Sequence, residues 1–304
     1  MKNKAWTGER LETFIFAENT NEHLHRYAMA MELASGKKVL DVACGEGYGS
    51  RLLAGVAAEV AGVDIDEATI KHATQKYQAP NLHFITGAAD AIPFEDQRFD
   101  LVVSFETIEH HDRHEEMMQE IKRVLKPGGM LIISSPDKLY YSDVPGYKNP
   151  FHVAELYSEE FEALISKHFK HTQHFKQRSF NGSVMMKQGE LPGNTPEKLY
   201  RGNYEKITQS GIEAMYCLAI ASDEQLPVTG NSFFDGAAVL EKQFQELRDY
   251  VTGTVTDKVA AEVTIHVTQQ VTEKVTEQIM GSRNYRVGST VIRPLRYIKR
   301  LFNA

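Results

Sequence analysis

The stretch KKVLDVACGEGYGS, residues 37–50, decides the fold of this chain. It begins with an apolar run that ends at Asp41 and continues through a turn with glycines on alternate positions, Gly45, Gly47 and Gly49. Glycines at such a turn let the backbone approach a ligand closely, and the helix that follows offers the positive end of its dipole. The stretch therefore predicts a strand, a nucleotide-binding turn and a helix.

Short apolar strands and helices continue beyond this turn. Buried strands that alternate with helices predict an α/β fold, in which a doubly wound parallel sheet carries helices on both faces. The run MYCLAIASD at 215–223 predicts a last strand that is paired on both sides, and the stretch from about 180 to 211 predicts an irregular insertion. The other strands are predicted at 59–66, 81–89, 99–110 and 130–136, with helices at 67–77 and 115–125 between them.

Composition limits the partners and the location of the chain. The 304 residues carry a formal net charge of −7, so we expect no nucleic-acid partner. No apolar run approaches the roughly 18 residues of a membrane span. The first residues also lack the apolar core of a signal peptide. The only cysteines, Cys44 and Cys217, are far apart and lack metal-ligand spacing, so a cytoplasmic location is expected.

From residue 251 to residue 279 a valine or isoleucine recurs at every fourth position. On a helix each such step overshoots a full turn by about 40°, whereas a strand would place all of these side chains on one face. We favour a helical stalk at 236–281 that joins copies of the chain into a homo-oligomer by a coiled coil. A solvated spacer would leave the whole set exposed. The set comprises Val251, Val255, Val259, Val263, Val267, Val271, Val275 and Ile279.

The last segment, 282–304, contains six basic residues and no acidic one. Its apolar residues fall on one helical face, which is typical of a basic amphipathic helix at an anionic membrane surface. Docking of this tail on its own domain or on an oligomer partner stays open. The chain thus divides into an N-terminal helical cap (1–35), an α/β domain (36–228), the stalk (236–281) and the tail (282–304).

Further carboxylates follow the second and third strands, at Asp64 and Asp90, where open α/β sheets bind ligands. VLDVACGEGYGS, VAGVDID, GAADAIPF, RFDLVVSFETIEH and RVLKPGGMLIISSP together resemble, in order and spacing, the motifs of class I S-adenosylmethionine-dependent methyltransferases. The resemblance implies a seven-stranded, Rossmann-like sheet whose last strand is antiparallel, with S-adenosylmethionine as cofactor. A nicotinamide-dependent oxidoreductase is disfavoured, because the dinucleotide fingerprint GxGxxG requires a glycine at position 50, where this chain has Ser50.

The resemblance also implies roles for individual residues. Arg26, in HLHRYAMA, would pair with the carboxylate of the cofactor; a surface ion pair is the alternative. Asp64 would hold the ribose hydroxyls, Ile65 would pack on the adenine, and Asp90, preceded by Ala89, would receive the adenine amino group. The methionine side would be lined by Asp41, Gly45, Gly47, Phe105 and Glu106.

Histidines beyond the fourth and fifth strands are candidates for a general base, the group that a hydroxyl acceptor requires. His152, near Glu155, is our first choice and His110, after Glu109, the second. Alternatively, His110 caps the following helix and only orients the cofactor. We predict no metal site, although His110 and His114, four residues apart, could bind a divalent ion if they shared a helix.

The order of catalytic head, stalk and basic tail resembles that of bacterial enzymes that methylate surface polysaccharides such as O-antigen. It implies an O-methyltransferase for a glycan hydroxyl, peripheral at the inner membrane, whose tail contacts lipid or a polymerase. One alternative is a methyltransferase for a small metabolite or quinone. Another is a non-catalytic scaffold that binds the cofactor.

Overall fold

The strand predicted from the opening stretch lies at the centre of a seven-stranded sheet. The computed structural model describes residues 11–15, 18–180, 199–211 and 213–281. The chain divides into two units, 1–240 and 241–304. The sheet strands are β1 Lys38–Val42, β2 Glu59–Asp64, β3 Leu82–Thr86, β4 Phe99–Ser104, β5 Leu125–Pro136, β6 His171–Gln177 and β9 Tyr216–Ser222. The helices are α1 Glu18–Ala34, α2 Tyr48–Leu53, α3 Glu67–Lys76, α4 His114–Val124, α5 Ser158–His168 and α6 Ala237–Gly281.

The strand order is β3-β2-β1-β4-β5-β9-β6. Neighbouring strands from β3 through β5 are parallel, whereas β9 runs antiparallel to both β5 and β6. The predicted α/β sheet of seven strands is thereby confirmed, including the last strand that is antiparallel and paired on both sides. This order reverses next to β1, so the carboxyl ends of β1 and β4 flank the crevice where such sheets bind ligands.

The two faces of the sheet are covered by different helices. On one face, Met117, Met118 and Ile121 of α4 and Phe161 of α5 pack into the main apolar core. On the other face, Tyr27 and other α1 residues pack on the sheet with α2. Each such buried side chain contributes roughly 1.5–3 kcal/mol of transfer free energy. The strands that carry the site at the sheet edge are therefore packed against helices on both faces of the sheet.

Two predictions for the region after β5 were wrong. The edge strand β6 was not predicted, because its sequence HTQHFKQ is mostly polar and contains no apolar run. In the stretch taken as irregular, the described residues form an antiparallel hairpin of β7 Leu199–Gly202 and β8 Ile207–Ser210. The remainder of that stretch, 181–198, lies outside the described residues.

The valine repeat is helical, as predicted. It lies in α6, a helix of 45 residues that is about 68 Å long. The repeated side chains remain 45–54% exposed. None of the described helices combines the length and the apolar character that crossing a membrane requires. The predicted basic tail, 282–304, falls outside the described part of the chain.

The packing of α1 on α2 gives a first prediction. A Cβ atom at Gly49 would lie 1.9 Å from Cζ of Tyr27, so Gly49→Ala forces the tyrosine out of its place. We expect a loss of about 1–3 kcal/mol in the free energy of unfolding, the usual cost of overpacking. Urea denaturation measures it. Gly211→Ala is the control, because a Cβ there meets nothing within 4 Å; equal stability of both variants would contradict the packing described.

Candidate functional site

The turn between β1 and α2 requires glycine for two physical reasons. The backbone is left-handed at Gly45 (φ 55°) and Gly47 (φ 92°), a conformation that glycine adopts without steric cost. A Cβ atom at Gly47 would also lie 2.8 Å from the ring of Phe84. The turn is held against the next strand by the Gly45 N–H, which donates to Oδ2 of Asp64 at 3.0 Å.

Asp41, at the end of β1, is buried beneath this turn and is 1% exposed. Its Oδ2 accepts a 2.7 Å hydrogen bond from the Ser50 hydroxyl, and the Tyr27 hydroxyl lies 3.3 Å from both oxygens. Burial raises the pKa of Asp41 to about 7, and the negative charge of Asp64 acts in the same direction, whereas the two hydrogen bonds oppose the rise. The carboxyl group therefore changes its charge near neutral pH.

The residues predicted for the adenosine side lie at the ends of β2 and β3. Asp64 is buried and also accepts the N–H of Asp66 at 2.9 Å. Ile65 is 71% exposed, as a residue that packs on a ligand from outside would be. Asp90 forms an ion pair with Arg113, and Ala89 packs against the main core. The two strands are neighbours, so this edge of the sheet carries all four predicted residues.

Arg26 of α1 is buried at the opposite side of the turn and is 2% exposed. The surface location in our alternative is therefore wrong, although an ion pair exists: Nη1 lies 3.0 Å from Oε1 of Glu106. Nε donates to Oε1 of Gln177 at 2.6 Å, and the guanidinium lies 4.4 Å from the ring centre of Tyr216. Phe105 packs edge-on against Tyr27 at 5.1 Å. Of the residues predicted for the methionine side, Glu106 thus contacts Arg26, whereas Phe105 and Asp41 contact Tyr27, the next residue of α1.

The guanidinium of Arg26 is incompletely satisfied. Among the described residues, the buried Nη2 has no hydrogen-bond partner, and the buried Nη1 contacts Glu106 as an ion pair without the geometry of a hydrogen bond. Buried donors are normally paired, because leaving one unpaired costs about 1–3 kcal/mol. A carboxylate ligand that accepts from both nitrogens removes this cost. The site therefore fits the carboxylate of the cofactor that the sequence implies.

The two candidate bases meet in space. The rings of His110 and His152 lie 5.1 Å apart at 86°. His152 Nδ1 lies 2.5 Å from Oε1 of Glu155, and its Nε2 lies 2.9 Å from Nδ2 of Asn149. Because the amide nitrogen can only donate, the network assigns the proton to Nδ1 of His152 and leaves Nε2 as the acceptor. Tyr141 stacks on the same ring at 5.2 Å.

The alternatives given for His110 depend on where α4 begins. Helix α4 starts at His114 and is preceded by Arg113, whereas His110 ends a separate 3₁₀ turn, Ile108–His110. The alternative in which His110 caps the helix is therefore wrong. His110 and His114 share no helical face, and His114 Nε2 is instead bonded to the carbonyl of His111 at 2.8 Å.

Glu109 connects the two loops that carry the histidines. Its carbonyl accepts the N–H groups of Val153 (2.8 Å) and Ala154 (3.1 Å). Its side chain is 1% exposed, and burial, reinforced by the charge of Glu106, raises the pKa of the carboxyl well above its usual value. Within the described parts of the chain, Oε2 of Glu109 has no hydrogen-bond partner. Glu109 is thus, after Arg26, a second buried polar side chain at this edge that lacks a hydrogen-bond partner, among the described residues, for one of its atoms.

Four residues at the site carried no signal in the sequence. Gln177 and Tyr216 reach Arg26 from strands about 150 to 190 residues further along the chain. Ser134 donates to Glu106 at 2.6 Å, and Asn149 contacts His152. Their residue types are common on any surface, and only the strand order brings them to the site.

Comparison with known proteins identifies the domain type. Residues 40–133 match a family model described as a methyltransferase domain. A Mycolicibacterium smegmatis protein named "Probable S-adenosylmethionine-dependent methyltransferase" is 37% identical over 164 residues, covering 52% of this chain and 62% of the relative. A Mycobacterium ulcerans protein named "Phthiotriol/phenolphthiotriol dimycocerosates methyltransferase 1" is 38% identical over 120 residues, covering 38% of this chain and 44% of that protein. The chain thus spans less than two thirds of the length of these relatives.

A solved structure, the YcgJ protein from Bacillus subtilis, aligns with 67% of this chain and 100% of its own at 18% identity and a TM-score of 0.48.

The buried carboxyl of Asp41 gives a prediction for pH. The pKa of Asp41 is about 7 in the folded chain and 3.8, the ordinary value, in the unfolded chain. Between these two pH values the folded chain keeps a proton on Asp41, whereas the unfolded chain has released it. The free energy of unfolding therefore falls as pH rises through this range, at up to about 1.4 kcal/mol per pH unit from this group. We expect Asp41→Asn to remove this contribution.

Urea denaturation of both proteins at several pH values between 4.5 and 7.5 measures the difference. Asp257→Asn, at an exposed position of α6, is the control and leaves the slope unchanged. A slope for Asp41→Asn equal to that of the natural chain would show that Asp41 does not hold the proton.

Proposed function

We propose that this chain, which carries a class I S-adenosylmethionine-dependent methyltransferase domain over residues 40–133, is an O-methyltransferase for a glycan hydroxyl. S-adenosylmethionine is the cofactor of such a domain. The observation that carries the proposal is the pairing of His152 with Glu155 at 2.5 Å, with side chains only 8% and 10% exposed. A histidine fixed in this way is suited to take a proton from a hydroxyl.

The residues present would hold the cofactor from both ends. Arg26 would donate two hydrogen bonds to its carboxylate, and the turn from Asp41 through Gly45 and Gly47 would face its amino-acid moiety. Asp64 would accept the ribose hydroxyls. The adenine would lie on Ile65, with its amino group toward Ala89 and Asp90, and the methionine chain would pass Phe105 and Glu106. Asp90 must exchange its ion pair with Arg113 for this contact.

The proton of the acceptor passes to Nε2 of His152. Glu155 holds the proton on Nδ1, which keeps Nε2 basic and stabilises the imidazolium that forms. When bound, the cofactor supplies a methyl group on a positively charged sulfur and a neutral thioether as leaving group. His152 and Tyr141 orient the acceptor oxygen, and alignment of the acceptor supplies most of the remaining acceleration. His110, whose Nδ1 lies 3.0 Å from the carbonyl of Phe151, is the second candidate base.

Aromatic and polar groups near His152 support a glycan acceptor. The rings of Tyr141 and Tyr147 lie 5.9 Å apart, and Tyr147 is 52% exposed. Asn149 donates to the Tyr141 hydroxyl at 3.2 Å. Sugars present apolar ring faces to aromatic side chains and hydroxyls to polar ones. The order of catalytic domain, stalk and tail also resembles that of polysaccharide-modifying enzymes. This second support for a glycan acceptor is an argument by analogy.

A hydroxyl-bearing lipid is the second candidate acceptor. The observation that favours it is the Mycobacterium ulcerans relative, which is named for phthiotriol and phenolphthiotriol dimycocerosates.

Replacing the base tests the mechanism. We expect His152→Gln to lower kcat for methyl transfer by about 10²- to 10⁴-fold, the usual contribution of a general base. Affinity for S-adenosylhomocysteine, measured by calorimetry, is expected to stay within twofold, because His152 is not among the residues proposed to hold the cofactor. His72→Gln, on the exposed face of α3, is the control. Unchanged kcat in His152→Gln would exclude His152 as the base.

The acceptor class is tested with labelled cofactor. The chain is incubated with methyl-labelled S-adenosylmethionine and with either polysaccharide or lipid extracted from its own source. We expect label in the polysaccharide as an O-methyl sugar, detected after hydrolysis by mass spectrometry. Label confined to the lipid would establish the second candidate, and label in small metabolites alone would contradict both.

For the stalk we propose self-association with further copies of this chain. Within the described residues, α6 exposes eight β-branched side chains at four-residue spacing, a surface that monomers rarely present. Val263 and Val267 lie near the middle of the series. The basic tail at 282–304 remains a proposed contact with a membrane surface or polymerase, and we propose a cytoplasmic, peripheral location.

Self-association predicts that Val263→Glu combined with Val267→Glu lowers the oligomeric state. Burying two carboxylates in an apolar contact costs several kcal/mol, so sedimentation velocity detects smaller species at micromolar concentrations. Gln269→Glu with Gln270→Glu adds the same charge at polar positions and is the control. A single species of monomer mass for the natural chain would contradict the proposal.

A further inference from the structure

We propose that Glu109, His110 and His152 bind a divalent transition-metal ion at the edge of the sheet. The role of this ion in catalysis rests on the function proposed above; its binding does not. The proposal replaces our prediction from the sequence that the chain has no metal site. That prediction weighed the histidines and acids that follow the fourth and fifth strands, but only the structure shows that Glu109, His110 and His152 converge.

The three side chains converge on one point. One ligand atom from each lies within 4.8 Å of the other two. Glu109 Oε1 and His110 Nε2 are 3.8 Å apart, a separation that one ion spans with bonds of about 2.0–2.2 Å to each. Two ligand atoms that are each about 2.2 Å from one ion lie at most about 4.4 Å apart, so ion binding requires the three side chains to close the remaining few tenths of an ångström.

Both imidazoles are already oriented by oxygen atoms at their other nitrogen. Nδ1 of His110 lies 3.0 Å from the carbonyl of Phe151, and Nδ1 of His152 lies 2.5 Å from the Glu155 carboxylate. Histidine ligands of metals generally donate their second N–H to a carbonyl or carboxylate in this way. At His152 the ion takes the place of the Asn149 amide, which now lies 2.9 Å from Nε2.

An unsatisfied buried carboxylate is the independent observation that points to a ligand. Glu109 is 1% exposed, and its Oε2 has no hydrogen-bond partner among the described residues. Arg26, the nearby cation, pairs with Glu106 instead. A buried carboxylate oxygen without a partner is costly. A cation held by the two histidines beside it supplies that partner.

The ligand set selects the kind of ion. Two imidazole nitrogens and one carboxylate suit Zn²⁺, Co²⁺ or Mn²⁺ better than Mg²⁺ or Ca²⁺, which prefer oxygen ligands alone. Three protein ligands leave at least one position open, as in metal sites that act on substrates.

The open position would receive the hydroxyl oxygen of the acceptor. A bound cation lowers the pKa of such an oxygen, so its proton passes to water and His152 serves as a ligand rather than as the base. The oxygen then forms its bond to the methyl carbon while the bond between carbon and sulfur breaks, and that electron pair stays on sulfur. The ion and the free base are thus two ways to activate the same hydroxyl.

Co²⁺ is the probe for binding. The full untagged chain, stripped with a chelator and dialysed, is titrated with Co²⁺ by calorimetry and by visible absorption, which reports nitrogen and oxygen ligands. We expect one ion per chain, with affinity at least tenfold weaker in Glu109→Gln and in His110→Gln. His72→Gln is the matched control and binds as the natural chain does. Two ligand variants are measured, so the test remains valid if one of them fails to fold.

Binding that is absent, or equal in all four proteins, would overturn the site. Methyl transfer is then measured with and without added Zn²⁺, Mn²⁺ or Co²⁺. We expect one of these ions to raise kcat at least tenfold over the stripped chain. Full transfer by the stripped chain would overturn the catalytic role of the ion and leave the proposed function intact. No transfer to any hydroxyl, with ion and cofactor both bound, would instead overturn the proposed function.

Discussion

The buried ion pair between Arg26 and Glu106 is the interaction on which the site depends. It joins a helix that precedes the sheet to the residue that follows β4, where Glu106 has a left-handed backbone (φ 51°). Gln177 and Tyr216 hold the same guanidinium from the last strands of the sheet. Four separate parts of the chain therefore meet at one cation.

Such a pair is a poor way to stabilise a fold. Removing two charges from water costs several kcal/mol for each ion, and an apolar pair of similar volume is often as stable. Among the described residues, Nη2 of Arg26 also has no hydrogen-bond partner, and Nη1 meets Glu106 without the geometry of a hydrogen bond. The arrangement is explained by a ligand that completes it. Asp41 and Glu109, both buried with raised pKa values, extend the same pattern along the sheet edge.

How much could be predicted differs between the fold and the site. Strands β1, β2, β4 and β5 were predicted because parallel strands buried on both faces are continuous apolar runs, and the half-buried edge strand β3 was predicted from its apolar residues. Edge strand β6 was missed because its sequence HTQHFKQ is polar apart from one phenylalanine. The valine repeat suits a strand by residue type, but the Ala, Glu, Gln and Lys between the valines favour a helix, and α6 is helical. Single residues of the site were recognised by position, since ligands bind at the carboxyl ends of strands.

Contacts across the chain were beyond prediction. His110 and His152 were each identified, and both follow strands that end at the same edge of the sheet. The contact between their rings was not predicted, because the loop after β5 is placed by hydrogen bonds from Val153 and Ala154 to the carbonyl of Glu109. Likewise, Arg26 is buried by Glu106 after β4 and by Gln177 and Tyr216 from strands near the end of the domain. The sequence therefore identified individual functional residues, whereas the contacts between them are known only from the fold.

The most direct measurement is calorimetric titration of the chain and its Arg26→Lys variant with S-adenosylhomocysteine. Lysine keeps the charge but cannot donate two parallel hydrogen bonds to a carboxylate. The account predicts binding of one molecule per chain, weakened at least tenfold in the variant while the melting temperature stays close to that of the natural chain. No binding to the natural chain, or equal affinity in both, would contradict the claim that the buried guanidinium is completed by the cofactor.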